Sequence, residues 1–296
     1  MLCGFIAILG APNVGKSTLL NRIVGTKVSI VSPKVQTTRT RVLGIALDGN
    51  AQLIFIDTPG IFLPKRRLDR AMVAAAWGGV GDVDRVLLLV DSRKGLDPDT
   101  KLIIDKLLKH GGRTVDIVLN KIDLVDKQRL LGLAEKVNEY GIFNQIFMVS
   151  AEKNEGIEDL VSYLKLQMPV SPWLFPEDQI SDMPLRLLAA EITREQLFLK
   201  LHQELPYAAT VETESWEEKD DGSIRIEQTI YVERGSQRSI VLGKNGKMIK
   251  SIGAESRREL ADVVDVAVHL FLFVKVREKW GDDPLRYNHW GLDFNA

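Results

Sequence analysis

Eight residues, Gly10-Ala11-Pro12-Asn13-Val14-Gly15-Lys16-Ser17, constrain this chain more than any other stretch. They satisfy the pattern G-x-x-x-x-G-K-[ST] at every fixed position, and that pattern has physical meaning only between a strand and a helix. Both flanks supply the context. Apolar Phe5-Ile6-Ala7-Ile8-Leu9 precedes the loop, and Ser17-Thr18-Leu19-Leu20-Asn21-Arg22-Ile23 follows it with a helical pattern. Glycines let backbone N–H groups turn inward around a phosphate, and the helix that starts there adds the positive end of its dipole. The loop and Thr18 are therefore expected to cradle a nucleotide, with Lys16 on the β- and γ-phosphates and the Ser17 hydroxyl on Mg²⁺.

The rest of the first half reads as a sheet built around that loop. Ile54-Phe55-Ile56-Asp57, Arg85 to Asp91, Asp116 to Asn120 and Ile146 to Ser150 are apolar runs that each end in a polar residue. Runs apolar on both faces belong to a mostly parallel sheet covered by helices on both sides. In such sheets the ligand lies beyond the carboxyl ends of the strands, where those closing polar residues sit. Arg41 to Leu47 and Gln52 to Ile56, joined at Asp48-Gly49-Asn50, read as a hairpin, which places one antiparallel strand at the edge. Residues 1–168 are thus expected to form an α/β phosphate-loop domain.

Three further motifs fall at the ends of those strands. Asp57-Thr58-Pro59-Gly60 sets a carboxylate where it holds Mg²⁺ through water and a Gly60 amide where it meets a γ-phosphate. Asn120-Lys121-Ile122-Asp123 selects the base: an aspartate accepts from the N1–H and 2-amino group of guanine, whereas adenine offers no such donors and leaves the charge unpaired. Sites built on polar pairing of that kind reject the wrong partner by roughly 10⁴. The nucleotide is expected to be GTP or GDP. Ser150-Ala151-Glu152, closing the next strand, is expected to give a backbone N–H to the guanine O6. Between loop and third strand, Val35-Gln36-Thr37-Thr38-Arg39-Thr40-Arg41 reads as a segment that orders around the γ-phosphate, with Thr38 preferred over Thr37 as a metal ligand. Lys16, Thr38 and Gly60 are the expected catalytic groups, and Ser17, Thr38 and Asp57 the expected metal set.

Pro169, Pro172, Pro176 and Pro184 mark residues 169–184 as a linker. Residues 185–296 then follow the order α-β-β-α-α-β with a C-terminal tail. Between two helical patterns lies Gly243-Lys244-Asn245-Gly246, followed by Lys247 and Lys250. Two glycines three apart are common; here cations surround them. Such a loop lets a sugar-phosphate backbone approach closely while the lysines attract it. Trp77-Gly78-Gly79-Val80-Gly81 leaves two readings open, an early helix end or a mobile segment. Lys65-Arg66-Arg67 and Arg93-Lys94-Gly95 read as solvated faces, and four scattered histidines suggest no metal cluster.

Over 296 residues the net charge is −1, so any nucleic-acid contact has to come from a local patch. The single Cys3 excludes an internal disulfide and fits a reducing compartment. No apolar run reaches the length of a membrane span, and no targeting leader is read before the first strand.

G-A-P-N-V-G-K-S, Q-T-T-R, D-T-P-G, N-K-I-D and V-S-A resemble the Era-like branch of the translation-factor-related GTPases, and the loop Gly243 to Gly246 in its α-β-β-α-α-β setting resembles a KH domain of the bacterial type. Together the two cover essentially the whole chain, the tail Val276 to Asp283 included. The resemblance implies slow intrinsic GTP hydrolysis, since Ile61 stands where other GTPases carry a water-orienting glutamine. It also implies a K⁺ near the phosphates held with the help of Asn13, binding near the 3′ end of 16S rRNA, and a role in assembly of the 30S subunit. Members are cytoplasmic and associate peripherally with the inner membrane; a monomer is expected. Two other readings stay open: a pure assembly factor timed by hydrolysis, and a membrane-associated signalling GTPase whose KH-like domain binds protein.

Overall fold

A computed structural model of the chain describes residues 1–34, 37–64, 66–110, 114–202 and 204–296, the side chains of residues 110, 285 and 289 excepted. Val35 and Gln36 of the expected switch, Lys65, and the side chains of His110 and His289 lie outside the described residues. Two compact units divide the chain. One comprises Met1–Val31, Thr38–Asp182 and Tyr287–Ala296; the other comprises Ser32–Thr37 and Met183–Arg286.

The first unit is built on a six-stranded sheet in the order β2-β3-β1-β4-β5-β6, with β1 Leu2–Gly10, β2 Val42–Asp48, β3 Ala51–Asp57, β4 Arg85–Asp91, β5 Val115–Asn120 and β6 Phe143–Val149. All neighbours are parallel except β2 and β3, whose two-residue turn, Gly49-Asn50, joins the pair Asp48 and Ala51. Alternation along the strands sends side chains to two cores. Ile6, Ile8, Leu53, Phe55, Leu87 and Leu89 face α1 (Lys16–Val24) and α5 (Ile157–Leu166). Ala7, Leu9, Val86, Leu88, Ile117 and Leu119 face α2 (Arg67–Gly78), α3 (Pro98–His110) and α4 (Lys127–Asn138). Helix α2 ends at Gly78, and Val80 and Gly81 turn back onto the carbonyls of Trp77 and Gly78, so the glycine run closes the helix early.

Register decides what the sheet presents at its carboxyl edge. Ile8 pairs with Asp57, Gly10 with Leu89, Asp91 with Asn120, and Asn120 with Val149. The polar residues that close the strands therefore gather at one edge.

The proline-rich stretch is held to this unit over most of its length. Gln52 Oε1 accepts from the amides of Leu174 and Phe175, its Nε2 donates to the Phe175 carbonyl, and the amide of Ile45 donates to Ile180. Trp173 and Phe175 pack on Cys3, Ile45 and Ile54; aromatic side chains contribute roughly 1.5–3 kcal/mol each when fully buried. Apart from Ser32–Thr37, the chain enters the second unit only after Asp182. At the other terminus, Tyr287 and Leu292 pack on Ala71 and Met72 of α2, so the last ten residues fall with the first unit rather than with residues 185–286.

The second unit carries α6 (Leu185–Lys200), β7 (Ala209–Glu218), β8 (Ile224–Val232), α7 (Gly235–Leu242), α8 (Lys247–Val264) and β9 (Val268–Val276). Its sheet is ordered β7-β8-β9, antiparallel then parallel. Strand β9 begins at Val268, after α8 has run on to Val264. Leu197, Val211, Ile230, Val241, Ile252 and Val274 join its helices to its sheet. In the same unit the Lys34 ammonium donates to the carbonyls of Phe198 and Leu201. No helix among the described residues is long and apolar enough to cross a membrane.

Candidate functional site

The loop after β1 has the backbone that its sequence requires. Asn13 and Gly15 adopt left-handed conformations, φ 65° and 99°. At Gly15 any side chain would run into the Asn120 amide, so a residue other than glycine would break the approach of the two loops. Lys16 is 6 % exposed, and its ammonium donates to the carbonyls of Gly10 (3.1 Å) and Ala11 (3.2 Å). Burial lowers its pKa to about 8, although the nearby Asp57 carboxylate works against that fall.

Asp57, fully buried at the end of β3, is the centre of an oxygen cluster. Its Oδ2 accepts from Ser17 Oγ at 2.6 Å and from Ser29 Oγ at 2.9 Å, and Thr38 Oγ1 lies 2.9 Å from Ser17 Oγ. Burial raises the Asp57 pKa, opposed by the charge of Lys16 and the hydroxyl donors. Its Oδ1 is buried with no hydrogen-bond partner. A buried carboxylate oxygen left without a donor, beside two hydroxyls, fits a hard cation that takes oxygen ligands and keeps some of its water. Thr37 differs from its neighbour: its hydroxyl bonds to the Lys34 carbonyl and Ser32 Oγ.

Gly60 lies against the loop, where an added Cβ would come within 2.9 Å of Pro12 Cα, and the Ile61 amide donates to the Gly10 carbonyl at 3.1 Å. The Ile61 side chain, 1 % exposed, is part of the core and offers no proton acceptor.

The end expected to select the base is assembled by Asn120. Its Nδ2 donates to the Val14 carbonyl (2.8 Å), and its Oδ1 accepts from the amides of Lys121 (2.8 Å) and Ala151 (3.0 Å). The Ala151 amide, within the triplet expected to give a backbone N–H to the guanine O6, is thus a tie between loops. Asp123 Oδ1 accepts from Ser150 Oγ at 2.6 Å, which orients the carboxylate. Gly15, Thr18, Asn120, Lys121, Asp123 and Ala151 line one cavity of about 430 Å³, together with Arg93, Leu124, Glu152 and Lys153.

Two contributors were not assigned from sequence. Asp91, 2 % exposed at the end of β4, accepts from Lys121 Nζ (2.8 Å) and from Arg93, and Lys121 Nζ also reaches the Asn13 carbonyl (2.5 Å). Burial pushes the Asp91 carboxyl up, but the Arg93 and Lys121 donors outweigh it and bring the pKa to about 2. The signal was present, a polar residue closing an apolar run. Ser29 on Asp57 has no local signature. Arg93, read as part of a solvated face, lines the cavity.

In the second unit, Gly243 (φ 70°, ψ 173°) leads a single 3₁₀ turn, Lys244–Gly246, with Asn245 left-handed (φ 54°), before α8 begins at Lys247. A Cβ on Gly243 would fall 2.6 Å from that of Met248. Lys244, Asn245, Lys247 and Lys250 are exposed beside the first turn of an 18-residue helix, a surface of donors and cations suited to phosphate groups.

The Lys16 environment makes a testable statement about pH. Phosphate groups favour its ammonium form, while the free protein loses that proton as pH rises through about 8. Nucleotide binding is expected to take up more protons at pH 8.5 than at pH 6.5. Calorimetry in two buffers of different ionisation enthalpy reads this directly, and no uptake at pH 8.5 would remove Lys16 from the phosphate site.

Comparison with known proteins places these features in company. Residues 5–121 match the 50S ribosome-binding GTPase family model, and residues 204–281 match the KH domain model. GTPase Era of Afipia carboxidovorans is 59 % identical over 294 residues, 99 % of this chain and 94 % of that protein. GTPase Era of Agrobacterium fabrum is 59 % identical over 291 residues, covering 98 % and 92 %. The structure of Era in complex with MgGDPNP and nucleotides 1506–1542 of 16S ribosomal RNA superposes with a TM-score of 0.93 at 38 % identity, over 98 % of this chain and 99 % of that one. A variant of Aquifex aeolicus Era bound to GDP·AlF4⁻ gives the same score, identity and coverage.

Proposed function

Since the chain belongs to the GTPase Era family, we propose that its residues turn GTP hydrolysis into a timed hold on the 3′ region of 16S rRNA during 30S subunit assembly. In the reaction, water attacks the γ-phosphorus, the bond to the β–γ bridging oxygen breaks, and GDP and phosphate leave. The Ser17 hydroxyl, which donates to the Asp57 carboxylate and lies 2.9 Å from Thr38 Oγ1, beside the buried Lys16, carries this reading.

Lys16 and the loop amides stabilise charge on the phosphate oxygens in a site with little water, where such donors are worth most. Ser17, Thr38 and, through water, Asp57 would hold Mg²⁺, which neutralises charge on the β- and γ-phosphates. Asp57 Oδ1, buried without a donor, supports that role. The Gly60 amide senses the γ-phosphate, and its loss on hydrolysis releases Thr38 and the segment before it. Asp123 reads the guanine edge, Ser150 aims Asp123, and Asn120 holds the two loops together. Because Ile61 offers no proton acceptor, intrinsic turnover is slow. For the K⁺ held with Asn13, the reading predicts faster hydrolysis in K⁺ than in Na⁺ at equal ionic strength; equal rates would remove it.

RNA binding falls to the loop Gly243, Lys244, Asn245, Gly246 with Lys247 and Lys250, acting on unpaired nucleotides. The protein works in the cytoplasm as a monomer, with peripheral association at the inner membrane resting on family resemblance alone. Lys244→Glu with Lys247→Glu is expected to weaken binding of a single-stranded oligonucleotide of the rRNA 3′ end at least about 100-fold, flatten its salt dependence, and leave basal GTP hydrolysis intact. Retained oligonucleotide affinity would overturn the assignment of this loop.

A further inference from the structure

On the first unit a second groove, of about 830 Å³, opens between the loop Ser92 to Leu96 and helices α3 and α4. It shares no lining residue with the nucleotide cavity. Lys94, Lys101, Arg129 and Lys136 line it against one carboxylate, Glu139, in a chain whose total charge is −1. All four cations are exposed, and none of the three lysines forms an ion pair with a described residue.

Gly132 supplies an independent observation. It lies within α4, lines the groove, and a Cβ built there would meet nothing within 4 Å. Glycine weakens a helix interior, and packing gives no reason for it at this position. What it does provide is bare backbone on the groove floor, open to a close approach. Tyr140, half-buried at one end, adds an aromatic face.

We propose that this groove is a second RNA-binding surface, one that holds the sugar-phosphate backbone of 16S rRNA outside the segment taken by the Gly243 to Gly246 loop. The proposal rests on the reading of the protein as an rRNA binder. A small-molecule site would present convergent buried polar groups; here the polar lining consists mainly of exposed cations on flexible stems. Lysine is a mobile point charge suited to phosphates and poor at reading base edges, so the contact is independent of sequence. Tyr140 stacks on an unpaired base, which tolerates any sequence as well.

The test uses the full chain with Lys101→Glu and Lys136→Glu, and two probes: a short oligonucleotide of the rRNA 3′ end and complete 16S rRNA. Oligonucleotide and GDP affinities are expected to stay at wild-type values. Affinity for complete 16S rRNA falls about 10- to 100-fold, and the slope of log affinity against log salt becomes shallower by about 1.4–1.8, since each of the two lost phosphate contacts removes roughly 0.7–0.9. Lys101→Arg with Lys136→Arg keeps both values. Gly132→Leu separates contact from folding, since it is expected to raise the thermal midpoint while weakening 16S rRNA binding. Wild-type affinity and slope in the charge-reversed protein would overturn the proposal. So would a defect confined to anionic vesicles or to an acidic peptide. Failure of the 3′-end reading itself shows separately, as a wild-type protein that does not bind the oligonucleotide.

Discussion

Lys16→Met is expected to lower kcat/KM for GTP by about 10³-fold or more while leaving the fold intact. Removing one preorganised donor from a water-excluded site costs roughly 10² to 10³ in rate. Here the donor is also the cation proposed to act on the β- and γ-phosphates. Lys16 is 6 % exposed, and burial has already drawn its pKa down to about 8, which means the free protein bears the cost of desolvating it. An unbranched apolar side chain of similar length relieves that cost. The thermal midpoint should hold or rise as activity collapses, a trade of stability against function. Steady-state hydrolysis and a melting curve on the same preparation decide it. A variant with activity within tenfold of wild type would show that the loop amides alone carry the phosphate charge.

Asp123→Asn is expected to cost at least about 10³-fold in GDP affinity and to admit a xanthine nucleotide in its place. The carboxylate is an acceptor only, matched to the N1–H and 2-amino donors of guanine. An amide sets an NH₂ group against those donors, so a hydrogen bond is replaced by opposed dipoles in a confined site. Xanthine carries a carbonyl at C2, which an amide donor suits. Ser150 Oγ holds Asp123 Oδ1 at 2.6 Å and can accept as well as donate, so the amide keeps its orientation. Calorimetric titration with GDP and XDP reads the exchange, and undiminished GDP affinity would place base recognition elsewhere.

Much of this was legible in order along the chain because each motif is short and largely sets its own geometry. The loop Gly10 to Ser17 needs Gly15 at φ 99°, and the loop Gly243 to Gly246 needs Gly243 at φ 70°; both requirements can be read from residue type. The strands announced themselves by apolar runs, and their closing residues Asp57, Asn120 and Ser150 came to one edge because parallel register aligns carboxyl ends. Where local pattern and packing conflict, packing prevailed. Four prolines within sixteen residues read as a linker, and within it Leu174 and Phe175 are held by Gln52 from more than 120 residues away.

What the sequence determined by itself is chemistry confined to a few consecutive residues: a phosphate cradle, a guanine reader, a glycine-hinged cationic loop, and the alternation that makes a sheet apolar on both faces. Only the tertiary structure brought Thr38 to Ser17, tied Lys121 to Asp91 and Asn13, set Ser29 on Asp57, packed Tyr287 on α2 and brought Lys94, Lys101, Arg129 and Lys136 around one groove. Spacing along the chain governs backbone conformation over a turn or two. Which side chains meet across tens of residues depends on how whole elements bury their apolar faces, and short motifs do not encode that.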